Sequence, residues 1–201
     1  MNKSFLLKRL IDIIGSLIIL VILAPILGLT MIFVKMDSKG PVFLKQKRVG
    51  KNGDLFLMYK FRTMIPNAAE IGLGYEIAED DPRLTRIGKF LRRWSLDEIP
   101  QLINVLKGDM GLVGPRPALP HQVDKYSKFE RIRLNVKPGI TGWAQVNGRN
   151  LLSWKERINL DVWYVENWSL WLDLKILLST VRVVLLKEGL YGKEGIVRDY
   201  E

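Results

Sequence analysis

The stretch Ser95-Leu96-Asp97-Glu98-Ile99-Pro100 sets two carboxylates side by side, with Arg92 and Arg93 just before them and Arg116 after. Adjacent carboxylates can attack a phosphorus atom or hold a divalent cation, and guanidiniums bind phosphate oxygens through paired hydrogen bonds. Arg116 stands in Gly114-Pro115-Arg116-Pro117, where Pro115 and Pro117 restrict the local backbone to extended conformations. Together these residue types suit chemistry on a diphosphate. A plainer reading competes with that one. Ser95-x-x-Glu98 is also a capping box, in which Glu98 reaches back to the Ser95 amide and Asp97 complements the helix dipole. Pro100 counts against a regular first turn, because it has no N–H to donate to the Leu96 carbonyl.

The elements that position these groups follow from spacing. Leu96, Ile99, Leu102, Ile103 and Leu106 recur at helical intervals, and Gly108-Asp109 ends that segment. Upstream, Pro41–Gln46 and Leu55–Met64 alternate as strands around Gly50-Lys51-Asn52-Gly53-Asp54, which predicts a β-hairpin. Alternation puts Lys60 and Arg62 on one strand face. Leu84–Trp94 reads as a basic helix, and Glu76, Glu79, Asp80 and Asp81 read as a solvated acidic loop. His121–Val136 reads as one amphipathic helix with Val123, Tyr126, Phe129, Ile132 and Val136 as its apolar stripe. Ile140–Asn150 is glycine-rich loop or short strand ending in Asn147-Gly148-Arg149. There Arg149 is either a nucleotide or sugar contact or part of a turn.

Ile13–Val34 is almost uninterrupted hydrocarbon, long enough to cross a bilayer. Lys3, Lys8 and Arg9 precede it, and Lys35, Lys39, Lys45, Lys47 and Arg48 follow it. Basic residues on both flanks place both ends on the cytoplasmic side. Pro25 near the centre favours a bend there, so the expectation is a helix that enters the membrane, turns at Ala24-Pro25 and returns. Trp154, Trp163, Trp168 and Trp171 gather in two C-terminal helical segments and suit a headgroup layer, with core packing as the rival explanation. Asp173 lies inside an apolar helix and needs a partner, for which Arg116 is a candidate. Lys187–Glu201 is mixed in composition and reads as a flexible tail.

The 201 residues carry a formal charge of +10, one histidine and no cysteine. One histidine excludes a histidine-rich metal centre, and without cysteine there are no disulfides or thiolate sites. The cations are spread along the chain without a nucleic-acid-binding motif, so membrane lipid and a phosphorylated substrate are the expected partners, and no nucleic acid.

Ser95–Pro117, read as SLDEIPQLINVLKGDMGLVGPRP, closely resembles the signature of the bacterial sugar transferases, the small monotopic phosphoglycosyl transferases. The likeness extends to the N-terminal apolar segment, to Tyr59-Lys60-Phe61-Arg62-Thr63-Met64 and to Lys137–Arg149. It implies transfer of a sugar phosphate from a UDP-sugar to undecaprenyl phosphate with release of UMP, assisted by Mg²⁺. Asp97 would be the nucleophile, Glu98 its metal-holding or proton-handling neighbour, and Arg93, Arg116, Arg62 and Arg149 the phosphate-binding cations. Pro115, Pro117, Pro25 and Asp173 would support the site. The fold expected is α+β: a re-entrant membrane helix over 1–36 and a catalytic domain over 37–201, with interfacial helices and a small β-hairpin element. The resemblance further implies the cytoplasmic face of a bacterial inner membrane and downstream glycosyltransferases as further partners. A phosphohydrolase using the same carboxylates and a membrane adaptor in which the acid pair is only a cap are the two other function classes. The sugar and the oligomeric state have no readable signal.

Overall fold

A computed structural model describes residues 3–192 and 195–197 of the chain. The apolar run forms α1 (Lys3–Asp37), a helix of 35 residues with Pro25 inside it. A straight helix of that length would extend about 52 Å, and α1 is long and apolar enough to cross a membrane. Helical structure continues unbroken through Ala24-Pro25. Both ends of α1 nevertheless dock on the same body. Near its start, Arg9 donates to the Val105 and Leu106 carbonyls at 2.6 and 3.0 Å, and the Asp12 carboxylate accepts the Leu112 N–H at 3.0 Å. At its end, Asp37 accepts the Ile87 N–H at 2.8 Å. Val21 and Ile22, between these ends, are 74% and 67% exposed.

Arg62 holds that second end. Its guanidinium is buried and donates to the carbonyls of Val34, Ser38 and Lys39 at 3.1, 2.6 and 3.0 Å. Carbonyls at a helix C-terminus have no intrahelical partner, so a buried cation there supplies both hydrogen bonds and a favourable charge.

The hairpin forms from β1 (Phe43–Val49) and β2 (Leu55–Phe61), antiparallel from Phe43↔Phe61 to Val49↔Leu55. Asn52 takes φ 58° in the connecting turn, a left-handed conformation that asparagine tolerates better than most residues. A short β3 (Ile77–Ala78) follows a loop shaped by Arg83, whose guanidinium donates to the Ala68, Ile71, Gly74 and Glu76 carbonyls and pairs with Asp81 at 2.6 Å. α2 (Arg86–Arg93) starts at Thr85, which caps the Gly88 N–H. α3 (Gln101–Lys107) and β4 (Gly111–Val113) come next, and β4 pairs in parallel with β5 (Gly139–Thr141).

The single helix expected over 121–136 is not formed. In its place stand α4 (Pro120–Asp124) and a 3₁₀ segment at Glu130–Asn135. Ser127 and Glu130 exchange side-chain and backbone hydrogen bonds, which stops one helix and starts another, and Phe129 of the expected stripe is exposed. α5 (Trp143–Val146), α6 (Trp154–Glu166) and α7 (Leu170–Leu186) complete the body. The last strand, β6 (Ile196–Val197), pairs with β3, so the described part of the expected tail is packed and the remainder lies outside the described residues. The main core joins Met58, Leu102, Val105, Leu112, Tyr164 and Ile176, with Ile19 and Leu20 of α1 against it. On α7, Leu172, Ile176 and Val183 point inward while Trp171, Leu178, Val181 and Leu185 are exposed.

Asp173 has a different partner from the one expected. Its carboxylate pairs with Lys8 at 2.6 Å and accepts from the Tyr164 hydroxyl at 2.7 Å and the Trp168 indole at 3.2 Å. Arg116 is committed to Glu98 instead. Lys8 also donates to the Val113 carbonyl at 3.0 Å, so this pair fastens α1 to α6, α7 and β4 together. Asp173→Asn keeps the shape but leaves Lys8 without its counter-ion, a change that costs about 3 kcal/mol in a buried pair. The expected result is a lower thermal unfolding temperature and faster proteolysis at the start of α1, measured in the same detergent as the unaltered protein.

Candidate active site

The carboxylate pair sits in a 3₁₀ turn, Leu96–Glu98, between α2 and α3. Pro100 occupies the N-cap of α3, so the α-helix begins only after it and the pair stays outside regular helix. Ser95 is left-handed, with φ 55°, and caps nothing. Its hydroxyl accepts from Arg149 Nη2 at 3.0 Å instead. The capping box permitted by the sequence is therefore absent.

The two carboxylates have opposite surroundings. Glu98 accepts from Lys60 Nζ at 2.9 Å and from Arg116 Nη2 and Nη1 at 2.6 and 3.1 Å, so cations engage both of its oxygens. Burial pushes its carboxyl up, but Arg116 and Lys60 outweigh that and hold it well below the usual carboxylate range. Asp97 is 6% exposed, and its carboxyl forms no hydrogen bond with any described residue. Burial first, and then the charge of Glu98, push it above the usual aspartate range; Lys60, Arg92 and Arg116 oppose them only in part. One carboxylate is neutralised and fixed, while the other is left free.

Arg116 is positioned by its backbone. The carbonyls of Pro115, Arg116 and Pro117 accept from the Gly139 N–H at 3.0 Å, Arg133 Nη2 at 2.9 Å and Arg48 Nη1 at 3.0 Å. Gly114 lies so close to the next strand that a Cβ there would sit 2.4 Å from the Lys137 carbonyl oxygen. The Arg116 side chain is 45% exposed and thus open to solvent while paired with Glu98.

Of the other cations expected here, Arg149 joins the pair through Ser95, and its Nη1 is buried without a hydrogen bond. Arg62 is turned to the end of α1, as described above. Arg93 is exposed and makes no hydrogen bond or ion pair with the described residues. Its neighbour Arg92 is the cation whose charge acts on Asp97, and Arg92 Nε donates to Thr63 Oγ1 at 3.0 Å. Sequence reasoning notes Lys60 and Arg92 but assigns the site roles to their neighbours Arg62 and Arg93. The strand alternation held the signal for Lys60, but β2 ends at Phe61, so Arg62 lies beyond the strand. Among the described residues, no group of three or more His, Cys, Asp or Glu could hold a metal ion on protein ligands alone.

Known proteins match nearly the whole chain. The profile of the bacterial sugar transferase family matches residues 3–187. A sugar transferase of Bacillus subtilis named EpsL, itself uncharacterized, is 49% identical over 185 residues, which cover 92% of this chain and 90% of that protein. An undecaprenyl-phosphate galactose phosphotransferase of Salmonella typhimurium is 43% identical over 205 residues, covering 94% of this chain and 43% of that protein. An undecaprenyl-phosphate glucose phosphotransferase of Komagataeibacter xylinus is 43% identical over 186 residues, covering 87% and 35%. The chain thus spans less than half the length of the last two.

The contrast between the carboxylates has a consequence for stability. A carboxyl raised in the folded state lends stability that is complete below its unfolded pKa and lost as pH rises through the folded one. Asp97→Asn removes that loss, so at neutral pH it should raise the unfolding temperature, with the gain vanishing in acid. Glu98→Gln should act the other way, because stability from a lowered carboxyl is present above its unfolded pKa and disappears as pH falls. Thermal unfolding of the three proteins at neutral and acidic pH checks both signs.

Proposed function

Because the chain belongs to the bacterial sugar transferase family, we propose that it moves a sugar 1-phosphate from a UDP-sugar to undecaprenyl phosphate. The free, buried carboxylate of Asp97 beside an ion-paired Glu98 is the observation that carries this reading. Asp97 attacks the β-phosphorus, the bond from that phosphorus to the bridging oxygen breaks, and UMP leaves with the oxygen. A phosphate oxygen of undecaprenyl phosphate then attacks the same phosphorus. The bond to Asp97 breaks, the carboxylate is regenerated, and the lipid carries a diphosphate-linked sugar.

The surrounding groups have roles that follow from their charges. Attack needs Asp97 ionised, and Lys60, Arg92 and Arg116 oppose the burial that would keep it protonated. Glu98 holds Arg116 in a fixed orientation, and the exposed guanidinium can turn part of its fork to a phosphate oxygen. Arg149 offers its unpaired Nη1 for the same purpose. Mg²⁺ usually binds through one or two carboxylates together with substrate phosphates. Asp97, which has no hydrogen bond to any described residue, would hold it with the diphosphate, while both Glu98 oxygens are already engaged by Lys60 and Arg116. When bound, the ion offsets charge on the diphosphate and on the departing phosphate.

The membrane reading rests on α1. Both ends of the helix reach one body, and the apolar residues between them are exposed, which suits entry and return through a single membrane face. Residues 1–36 would anchor the chain and residues 37–201 would work at the cytoplasmic face of the bacterial inner membrane. The exposed apolar side of α7 would rest on lipid. The lipid-linked product would pass to glycosyltransferases that extend a polysaccharide or glycan.

The direct test gives the protein, in lipid nanodiscs, a panel of radiolabelled UDP-sugars with undecaprenyl phosphate and Mg²⁺. The expected result is label in the lipid fraction matched by UMP, with one sugar preferred. Release of free sugar phosphate at the same rate with and without lipid acceptor would identify a hydrolase instead. In the same assay Arg116→Lys should lower kcat/KM by about 100-fold, because lysine keeps the charge and loses the fork. Its unfolding temperature should change little, since backbone contacts hold Pro115–Pro117.

A further inference from the structure

The family match ends at Lys187, and the residues after it turn back onto the site. α7 closes at Lys187, which is left-handed at φ 57°, and its ammonium lies 4.1 Å from the centroid of the Trp94 ring. Trp94 directly precedes Ser95. Two residues on, the Gly189 carbonyl accepts the Asn150 N–H at 3.2 Å, and the Leu190 carbonyl accepts Asn150 Nδ2 at 2.7 Å. A Cβ on Gly189 would stand 2.6 Å from the Gly148 carbonyl oxygen and 2.9 Å from Arg149 Cβ. The segment 187–190 is therefore pressed against the turn that carries Arg149 and against the residue that leads into the carboxylate pair.

That turn is costly by itself. Arg149 has φ 55°, a conformation that a non-glycine residue holds only when its surroundings determine it. Its guanidinium spends Nη2 on Ser95 Oγ and leaves Nη1 buried with no acceptor. Buried donors in native proteins almost always have partners, so an orphaned one beside two carboxylates points to an acceptor that arrives with a ligand. Around Asp97 the ligand oxygens that a guanidinium pairs with best are phosphate oxygens.

We propose that Lys187 and Asn150 are positioning residues: through the segment 187–190 they hold Arg149 at Ser95, with Nη1 presented to a phosphate oxygen of the nucleotide-sugar. This rests on the transferase reading above. It assigns donor affinity in part to Lys187, the last residue of the family match, and to residues 188–190 just beyond it, and it acts on the nucleotide diphosphate rather than on the lipid acceptor.

Four variants of the full chain in nanodiscs test it, with UDP as the probe. Lys187→Asn removes the cation but suits a left-handed backbone, and Lys187→Arg keeps the cation over Trp94. Asn150→Asp removes the donor to Leu190 at nearly constant size, and Arg149→Met removes the presented guanidinium. Lys187→Asn and Asn150→Asp should each raise the Kd for UDP and the donor KM by about three-fold or more, the order of a lost cation–π contact or hydrogen bond. Arg149→Met should raise them further, and adding Lys187→Asn to Arg149→Met should produce no additional loss. The KM for undecaprenyl phosphate and the unfolding temperature should stay near those of the unaltered protein in Lys187→Asn, and Lys187→Arg should restore UDP affinity. Unchanged UDP affinity in both Lys187→Asn and Asn150→Asp, with transfer intact in the unaltered protein, overturns this proposal and leaves the transferase reading standing. Equal rises in donor and acceptor KM would likewise overturn it, since a general loosening of the site would then be the cause. Failure of the unaltered protein to release UMP from any UDP-sugar would count against the transferase reading instead.

Discussion

The ion pairs that Glu98 makes with Lys60 and Arg116 set the condition under which the rest of the site can exist. Two adjacent buried carboxylates repel each other and lose hydration, so without nearby cations both would take up protons. Here the cations are divided unequally. Glu98 takes direct contacts from β2 and from the Pro115–Pro117 turn, and Asp97 receives only the more distant field of Lys60, Arg92 and Arg116. The result is one carboxylate with a fixed charge and one that is free to react.

Much of the remaining structure serves to keep that division in place. β2 must deliver Lys60, and Asn104 of α3 ties β2 to the helix that follows the pair by accepting the Tyr59 N–H at 3.0 Å and donating to the Leu57 carbonyl at 2.7 Å. β4 and β5 hold the turn bearing Arg116, and Lys8 of α1 reaches the Val113 carbonyl one residue before that turn. The same lysine pairs with Asp173, so the apolar helix, the core of α7 and the turn bearing Arg116 share one polar junction. Arg62 performs a related task at the far end of α1. A helix that bears nearly half of the large exposed apolar side chains among the described residues is thereby coupled at both ends to the rest of the body.

Local features of this fold were legible from sequence because local interactions determine them. Asn52-Gly53 marks the hairpin turn, Pro100 displaces the start of α3, and Gly108 closes it at φ 94°. The adjacent acids and the prolines around Arg116 are likewise chemistry written in contiguous residues. What could not be read depends on contacts between distant parts of the chain. The Lys8–Asp173 pair spans 165 positions, and no periodicity distinguishes Lys8 from Arg116 as a partner for Asp173. Arg62 and Lys60 look equivalent until the strand is seen to end between them. The break in 121–136 was missed because the apolar stripe outweighed a Ser127–Glu130 capping pair that was visible in sequence. Packing of the C-terminal residues on Asn150 had no sequence signal at all.

The central claim is that Asp97 becomes covalently attached to the sugar phosphate before the lipid acceptor takes part. Isotope exchange measures this most directly: the protein is incubated with UDP-sugar, Mg²⁺ and labelled UMP in nanodiscs free of undecaprenyl phosphate. A reversible first half-reaction returns label to the UDP-sugar pool without any acceptor, and Asp97→Asn abolishes that exchange because an amide is a poor nucleophile of almost the same size. Exchange that appears only once undecaprenyl phosphate is added, or that persists undiminished in Asp97→Asn, would contradict the account.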